Sequence, residues 1–420
     1  MTIYNLFPLL AGRFQDWPEH LRRAADMGFD WVFVNPIQYP GFSGSLYSVS
    51  DYFRWHPLLI DEQLPGDPFL QSRAAIDCGR ELGLQFKVDL VVNHCAFDSP
   101  LLKEHPEWFE WENGEVVHPH CYEGSEKIVW GDLAKFRYHD EEAREALVHF
   151  WLRVIGFLYE QGFRGFRCDA AYQVPAQLWF PLIQQAKELY PGLVFVAESL
   201  GCSPEDTVAL ARSGFDYVQN SAKWWDYRSE WLMEQYGQTC GLVDSIGFPE
   251  SHDTERLATE LNGNVAGVKQ RYLFTALFSA GVVMPIGFEF GFRNKLDVVT
   301  TRSTDWESPS WDLREFIRSV NQIRRRSSTF QKDVNTRILH THNPNVLWLQ
   351  KHDPVTGDLS LLILNKDADN YQPFWCDSLY REMPVKRPLV DVSPEFNLDY
   401  LPTPFEYSLR PGQGMVLINQ

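Results

Sequence analysis

The chain lacks the marks of several protein classes. Its 420 residues contain no apolar run of bilayer-spanning length, and residues 1–7 lack the basic and apolar segments of a secretory signal. Its seven cysteines have scattered spacings and form no CxxC pair, which indicates neither a disulfide framework nor a zinc ribbon. These absences favour a reduced protein that works in the cytoplasm.

Positive charge is also scarce. The chain has 38 Lys and Arg residues against 56 Asp and Glu residues, a formal net charge of −18. Such a surface repels phosphate backbones and anionic lipids, so neither nucleic acid nor a membrane is expected as a partner. A neutral ligand remains compatible with this charge.

Short β-branched or aromatic segments alternate with helical periodicity up to about residue 325. The predicted strands are residues 31–35, 86–93, 165–169, 193–198, 245–248 and 282–287. The predicted helices between them include residues 18–27, 141–161, 176–190 and 266–280. Parallel neighbours need crossover helices, and eight such units fit this length, which predicts an α/β fold of the (β/α)₈ TIM barrel type. A doubly wound nucleotide-binding sheet is not indicated, because GxGxxG and GxxxxGK[ST] are both absent.

Two further regions depart from this alternation. A long segment after the third strand, about residues 96–138, is predicted to form a loop insertion above the barrel. Beyond residue 330 there are only short alternating runs separated by turn residues, which is typical of antiparallel β structure. We therefore expect a catalytic barrel over residues 1–330 and a C-terminal antiparallel β-sandwich domain over residues 331–420.

Polar residues follow several of the predicted strands, where a TIM barrel places its active site. They are three carboxylates and their basic neighbours, namely Asp169, Glu198, Asp253, Arg167, His94 and His252. Side chains alternate along a strand, so Arg167 and Asp169 point the same way, and the guanidinium keeps the carboxylate ionised. An ionised Asp beside a Glu that can hold a proton is what retaining glycoside hydrolysis requires.

Four of these segments resemble the ordered sequence regions of the α-amylase family of glycoside hydrolases, the glycoside hydrolase family 13 superfamily. They are DLVVNH at 89–94, GFRCD at 165–169, VAE at 196–198 and SHD at 251–253. Three further segments resemble that family's other motifs: YSVSDY at 47–52, GDL at 131–133 and GFEFG at 287–291. The resemblance extends over about residues 3–325 and implies a barrel followed by an antiparallel β domain.

The resemblance implies a role for each matching residue. Asp169 would be the nucleophile, Glu198 the general acid/base and Asp253 the stabiliser of the transition state. Substrate binding is implied for Tyr47, which would stack under the sugar, for Arg167, which would position the nucleophile, and for His94 and His252, which would bind sugar hydroxyls.

The sequence also departs from the family pattern. Tyr172 and Gln173 stand where family members often carry a Lys and a His. Asn93 and Asp132 match positions that ligate calcium in the family, but the remaining ligands are not recognisable. Calcium takes six to eight oxygen ligands, so we expect no metal and no cofactor.

These residues predict a retaining glycoside hydrolase or transglycosylase. It would cleave α-glucosidic bonds of an α-glucan or malto-oligosaccharide through a glycosyl-enzyme intermediate. The alternatives left open are a maltosyl- or glucanotransferase, including one using sugar-phosphate donors, and a sucrose-type α-glucosidase. From another class, a non-catalytic carbohydrate-binding or partner subunit is disfavoured by the presence of all three carboxylates.

Overall fold

The structure is a computed structural model. It describes residues 1–419 apart from 65, 124–125, 220, 226, 228–230, 382 and 384–386, and it describes no side chains for 121–123. The side chain of Cys121 and residues 124–125 of the predicted 96–138 insertion therefore lie outside the described part of the chain. Within the described ranges, no helix is both long and apolar enough to cross a membrane.

Eight parallel strands close into a barrel in chain order, which confirms the predicted fold class. From first to eighth they are Thr2–Leu6, Trp31–Val34, Gln85–Leu90, Gly165–Cys168, Val194–Glu198, Tyr217–Gln219, Asp244–Gly247 and Gly281–Pro285. Nearly all of their residues are buried, because the barrel interior packs on one face and the surrounding helices pack on the other.

Helices follow most of the barrel strands and carry the chain back to the next one. The described α-helices are Pro8–Ala11, Trp17–Asp26, Pro68–Glu81, Pro100–Glu104, Glu141–Glu160, Ala176–Leu189, Pro204–Ala211, Trp231–Thr239, Leu257–Glu260, Val265–Phe278 and Arg314–Arg324. Several begin at capping side chains: Asp140 accepts a hydrogen bond from the Ala143 N–H, and Asn264 from the Gly267 N–H. Such caps satisfy donors that have no partner inside the helix.

The six predicted barrel strands are all present, and the structure adds the first and the sixth. The sixth, Tyr217–Gln219, has only three residues, too few for a periodic sequence signal. The third strand ends at Leu90 instead of continuing to Asn93. Beyond it, His94–Ala96 leaves the barrel and pairs with Leu133–Lys135 at the base of the insertion.

The long loops carry short antiparallel pairs. In the insertion, Trp111–Glu112 pairs with Glu115–Val116, and His120–Glu123 with Glu126–Val129. After the second barrel strand, Gln38–Pro40 pairs with Val49–Trp55. Both loops rise from the carboxyl end of the barrel, the end at which the polar residues were predicted.

Two antiparallel sheets form the C-terminal region, as predicted. The larger has the order Asn335–Leu339, Val346–His352, Leu359–Asn365, Gly414–Asn419 and Leu389–Asp391, and the smaller pairs Gln372–Cys376 with Phe405–Leu409. Alternate residues of the central strand point to opposite faces. Leu361 and Ile363 pack with the smaller sheet, whereas Leu362 and Leu364 pack with the barrel core. This strand is therefore buried on both sides.

A buried lysine joins the larger sheet to the barrel. Lys351 is fully buried, and its Nζ donates to the carbonyl oxygens of Leu277, at 3.0 Å, and Phe278, the last residues of helix Val265–Phe278. Nearby, the Asp333 carboxylate accepts hydrogen bonds from Ser245 and Ala280 of the barrel. Burial lowers the pKa of Lys351, and Asp333 opposes that shift. The lysine thus satisfies carbonyls that the end of a helix leaves without partners.

Replacing this lysine should destabilise the whole protein. Lys351→Met keeps the length of the side chain but removes both hydrogen bonds and leaves Asp333 without its cation. We expect the free energy of unfolding, measured in urea at pH 7, to fall by about 3 kcal/mol. The matched change Lys332→Met is at an exposed position and should cost less than about 0.5 kcal/mol. Equal urea midpoints for the two variants would contradict this assignment.

Candidate active site

The structure brings all seven predicted site residues to the carboxyl end of the barrel. Arg167 is in the fourth strand, with Asp169 just after it, and Glu198 ends the fifth strand. Three loops supply the other residues: Tyr47 comes from the loop after the second strand, His94 from that after the third, and His252 and Asp253 from that after the seventh. Their catalytic and binding roles remain predictions.

Arg167 is the central cation of this site. It is only 4% exposed, and its Nη1 lies 2.8 and 3.0 Å from the two carboxylate oxygens of Asp89 and 3.4 Å from Oδ1 of Asp169. Its Nε donates to Oε1 of Gln219 in the sixth strand, at 3.2 Å. Partners in the third and sixth strands therefore fix the guanidinium that faces Asp169.

Negative charge exceeds positive charge around this arginine. Asp89, Asp169, Glu198 and Asp253 interact with one another or with Arg167, the principal cation among the described groups nearby. Burial raises the pKa of Asp169, and Arg167 opposes the shift. Burial also raises the pKa of Glu198 to about 7, with Arg167 lowering it and Asp253 adding to the rise. Asp169 contacts the Arg167 guanidinium, which favours its ionised form, whereas Glu198 pairs with no cation among the described residues, so Glu198 is the better placed of the two to hold a proton.

Backbone N–H groups hold Glu198 in place. Its two carboxylate oxygens accept hydrogen bonds from the N–H of Ala170, at 2.9 Å, and of Leu200, at 2.8 Å. Ala170 directly follows Asp169 and has a left-handed backbone, with φ of 42°, a conformation that costs a non-glycine residue about 1–2 kcal/mol. This strained turn aims a peptide N–H from the Asp169 segment at Glu198 and so brings the two carboxyl groups to adjacent positions.

Tyr47 connects several of these side chains. Its hydroxyl donates to Asp89 at 2.6 Å, lies 2.7 Å from Nε2 of His252 and accepts a hydrogen bond from Nδ2 of Asn35 at 3.0 Å. The Tyr47 and His252 rings are nearly parallel, with an angle of 3° between their planes. Nε2 of His252 also lies 3.2 Å from Oδ2 of Asp253, whose side chain is 49% exposed at the opening.

His94 lies deeper than its predicted contact with sugar suggests. It is buried, with Nε2 3.2 Å from the Tyr47 carbonyl oxygen and Nδ1 3.4 Å from Nδ2 of Asn93. Burial lowers the pKa of His94 to about 4, so the ring is neutral at pH 7. In this structure the ring supports the Tyr47 backbone, and binding of a sugar hydroxyl by His94 stays a prediction.

Three residues of the network were not predicted as site residues: Asp89, Asn35 and Gln219. Asp89 was quoted as part of a motif, and a carboxylate buried in a strand signals a charged partner. Asn35 follows the second strand and donates to Tyr47. Gln219 lies in the strand that the sequence pattern missed, so its position at a strand end could not be recognised.

Asn93 and Asp132, which match calcium-ligating positions of the α-amylase family, do not form a cation site. Nδ2 of Asn93 donates to Oε1 of Gln173 at 2.9 Å, whereas Oδ1 of Asn93 is buried and finds no hydrogen-bond donor among the residues that the structure describes. The backbone carbonyl of Asp132 accepts from the Phe97 N–H. Nowhere in the described part of the chain do three or more His, Cys, Asp or Glu side chains group as metal ligands would. Two candidate oxygens do not fit calcium, and no step below involves a metal.

Sequence comparison places the chain near enzymes of glucan metabolism. Residues 1–114 match the family described as "Glycogen debranching enzyme, glucanotransferase domain". An "Alpha-1,4-glucan:maltose-1-phosphate maltosyltransferase" of Burkholderia pseudomallei is 28% identical over 343 residues, 77% of this chain and 29% of that protein. Its namesake from Mycolicibacterium smegmatis is 24% identical over 420 residues, 89% of this chain and 58% of that protein. This chain therefore spans less than two thirds of either relative.

Solved α-amylase structures have the same fold. The α-amylase of Geobacillus thermoleovorans, complexed with acarbose, superposes with a TM-score of 0.79 at 14% identity and covers 100% of this chain and 98% of that one. A noncanonic maltogenic α-amylase of Thermotoga neapolitana gives 0.76 at 20% identity, with the same coverage. The resemblance to the α-amylase family indicated by the sequence motifs is confirmed, and the fold is that of its TIM-barrel enzymes.

Proposed function

We propose that this protein is a retaining glycosidase and transglycosylase that acts on α-glucosidic bonds of α-glucans or malto-oligosaccharides. The observation that carries the proposal is the placement of Glu198, whose pKa is raised by burial, beside Asp169 held by Arg167 at the carboxyl end of the barrel. The names of the relatives support glucans as the substrate class. The non-catalytic alternative receives no support from this placement, because a binding surface needs no carboxyl group of raised pKa beside an ion pair.

The two carboxyl groups divide the reaction between them. In the first step an oxygen of Asp169 attacks the anomeric carbon, the bond to the leaving oxygen breaks, and Glu198 gives its proton to that oxygen. In the second step Glu198 takes a proton from water or from a sugar hydroxyl, whose oxygen displaces Asp169. Asp253, exposed at the opening, would stabilise the positive charge of both transition states.

The remaining site residues would hold the sugar and the nucleophile. Arg167 would keep Asp169 ionised and oriented through the contact at 3.4 Å, and Tyr47 would provide the ring under the sugar. His252, with a pKa lowered chiefly by burial, would present a neutral ring to a hydroxyl. We retain His94 as a proposed sugar contact on the family resemblance alone.

The choice between water and a sugar as acceptor depends on what lines the opening. Tyr172 is half-buried close to the two carboxyl groups, and burial raises its pKa to about 12, so its ring is neutral. This ring can stack on an incoming sugar. Trp306, in the loop after the eighth strand, packs instead against Phe292 and the Arg23 guanidinium.

We expect transfer beside hydrolysis. Maltotetraose at high concentration should give chains longer than four glucose units as well as shorter ones, because the hydroxyl of a sugar stacked on Tyr172 competes with water. Chromatography separates the products by length. Tyr172→Ala should reduce the longer products more than the shorter ones. Shorter products alone would overturn the transfer proposal, and no products from any malto-oligosaccharide would overturn the proposed activity.

Gln219 should act as a positioning residue. Gln219→Met removes the acceptor of the Arg167 Nε hydrogen bond and should lower kcat about tenfold with little change in KM, because the guanidinium loses its orientation toward Asp169. Gln219→Glu keeps an acceptor but adds negative charge, which should raise the pKa of Glu198 and move the basic limb of the pH–rate profile to higher pH. A purely structural role would lower the stability of both variants without moving that limb.

Two broader proposals accompany this function. We propose that residues 1–330 form the catalytic domain and that 331–420 form a supporting β domain, on the grounds that every candidate catalytic residue precedes residue 254. We also propose a reducing compartment, the cytoplasm, as the place of action. The six cysteines with described side chains, which all carry free thiols, support this location.

A further inference from the structure

Two adjoining cavities on the C-terminal sheets share the residues His342 and Trp375. One has a volume of about 300 Å³ and is bounded by the turn from Thr341 to Pro344 and by Trp375. The other, about 350 Å³, lies beside strand Asn335–Leu339 and reaches Arg381. Both border the same tryptophan and form a depression of the surface, in a region to which the proposed catalytic chemistry assigns no role.

Trp375 is exposed because of its place in the strand. Along Gln372–Cys376 the side chains of Phe374 and Cys376 point into the core between the two sheets, so Trp375 points outward and is 45% exposed. Its ring lies 6.2 Å from that of His342. A large exposed indole beside a cavity gains free energy when a flat apolar surface covers it.

The polar groups around the indole are fixed but carry little net charge. Nδ2 of Asn343 donates to Oε1 of Gln372 at 3.1 Å and to the Pro373 carbonyl at 2.9 Å, which holds the turn against the strand. At the rim, Arg381 pairs with Asp377 at 2.9 Å. Such paired charges favour a neutral ligand over an anionic or cationic one.

A second tryptophan lines the other cavity from below. Trp348 is 5% exposed, and its ring packs edge-on against that of Phe374, the buried neighbour of Trp375, at 5.3 Å between ring centroids. The strand that carries Trp375 is therefore held on a packed core. An exposed ring to stack on, a fixed strand beneath it and a rim of paired charges are together the features of a site for a neutral sugar chain.

We propose that this depression, formed by Trp375, His340, His342, Trp348 and Arg381 and called here the Trp375 platform, binds a neutral α-glucan chain. The sugar class rests on the proposed function, whereas the site itself does not. Trp375 belongs to the smaller sheet, which packs on the face of the larger sheet that points away from the barrel, and the other platform residues lie beside it on both sheets. A long chain held there would stay near the catalytic barrel, while a short substrate would gain nothing.

The test separates binding from turnover. In native gels containing glycogen, the Glu198→Gln chain should be retarded, and adding Trp375→Ala should weaken the apparent affinity about tenfold, the loss typical of removing a central aromatic contact. Trp375→Phe should retain most of the retardation. Tyr400→Ala is the matched control, because Tyr400 is a 75% exposed aromatic residue of the same region outside the platform. Melting temperatures will show that all the variants are folded.

Turnover supplies the second measurement. With Glu198 intact, Trp375→Ala should leave the hydrolysis of an activated aryl maltoside unchanged and should slow the reaction on dilute glycogen. Loss of retardation in Trp375→Ala supports the platform even if no glucan is turned over, an outcome in which only the proposed function fails. Retardation equal to that of the parent chain, or none in the parent chain, overturns the platform whether or not the enzyme is active.

Discussion

Asp169→Ala is expected to lower kcat on malto-oligosaccharides by at least about 10⁴-fold, since it removes the carboxylate proposed to form the glycosyl-enzyme. Arg167 holds the carboxylate from one side at 3.4 Å, and Glu198 is bonded to the next peptide along the chain. An alanine retains the strand and the Ala170 turn but provides no oxygen for attack. The loss should therefore appear in kcat, with the melting temperature little changed.

Two observations make this result specific. In the wild type, an activated fluorosugar should add its mass to the peptide that contains Asp169. Glu255→Ala removes an exposed carboxylate from the same rim of the barrel and should retain nearly full activity. Label on another peptide, or an Asp169→Ala variant with substantial turnover, would require a different nucleophile.

Glu198→Gln should produce the second largest effect, and its size should depend on the leaving group. Natural glucans need a proton on the departing oxygen, so their turnover should fall by about 10²–10⁴-fold. Substrates with an activated aryl leaving group need little protonation in the first step and should lose far less there. The measurement is the burst of aryl alcohol release compared with steady-state turnover of maltotetraose.

The direction of the pH dependence tests the same role of Glu198. Glu198 is active as an acid only while protonated, so the rate on glucans should fall as the pH rises through about 7.

The raised pKa of Glu198 also affects stability: a folded-state pKa above the usual value of 4.5 means that the folded chain binds this proton more tightly than the unfolded chain. Stability from this group is full below about pH 4.5 and is lost as the pH approaches and passes 7, so Glu198→Gln should melt higher than the wild type at pH 8.

A buried glutamate at the same end of the barrel provides the control. Glu250 is paired with Arg256 at 2.7 Å and accepts a hydrogen bond from the Leu257 N–H. Glu250→Gln weakens a structural ion pair, so it should lower stability and affect both classes of leaving group equally. Equal losses on the two classes for Glu198→Gln as well would contradict its role as the acid.

The barrel was predictable because its signal is repeated many times along the chain. Each apolar segment such as residues 165–168 contributed the same pattern, and the order of the segments allowed one topology. The sixth strand, three residues long, carries no such redundancy, and Gln219 was missed with it. Local patterns find long or repeated elements, and they miss short ones that their neighbours stabilise.

The positions of the candidate site residues were predictable from the sequence, but their contacts were not. The motifs identified Asp169, Glu198 and Asp253, since each follows a strand. The left-handed turn at Ala170 was not foreseeable, because alanine disfavours that conformation and only the surrounding fold imposes it. The depth of His94 likewise depends on how the insertion folds over the loop after the second strand.

The hydrogen bonds of Lys351 bear on how the chain is synthesised. Helix Val265–Phe278 leaves the ribosome well before Lys351, so until then the carbonyls of Leu277 and Phe278 and the apolar face that later meets Leu362 and Leu364 lack their partners. The barrel can close its strands during this interval, while the end of helix Val265–Phe278 still lacks the donor that caps it. A nascent chain halted before residue 351 would consequently present an unfinished surface, the kind that chaperones bind and proteases cut.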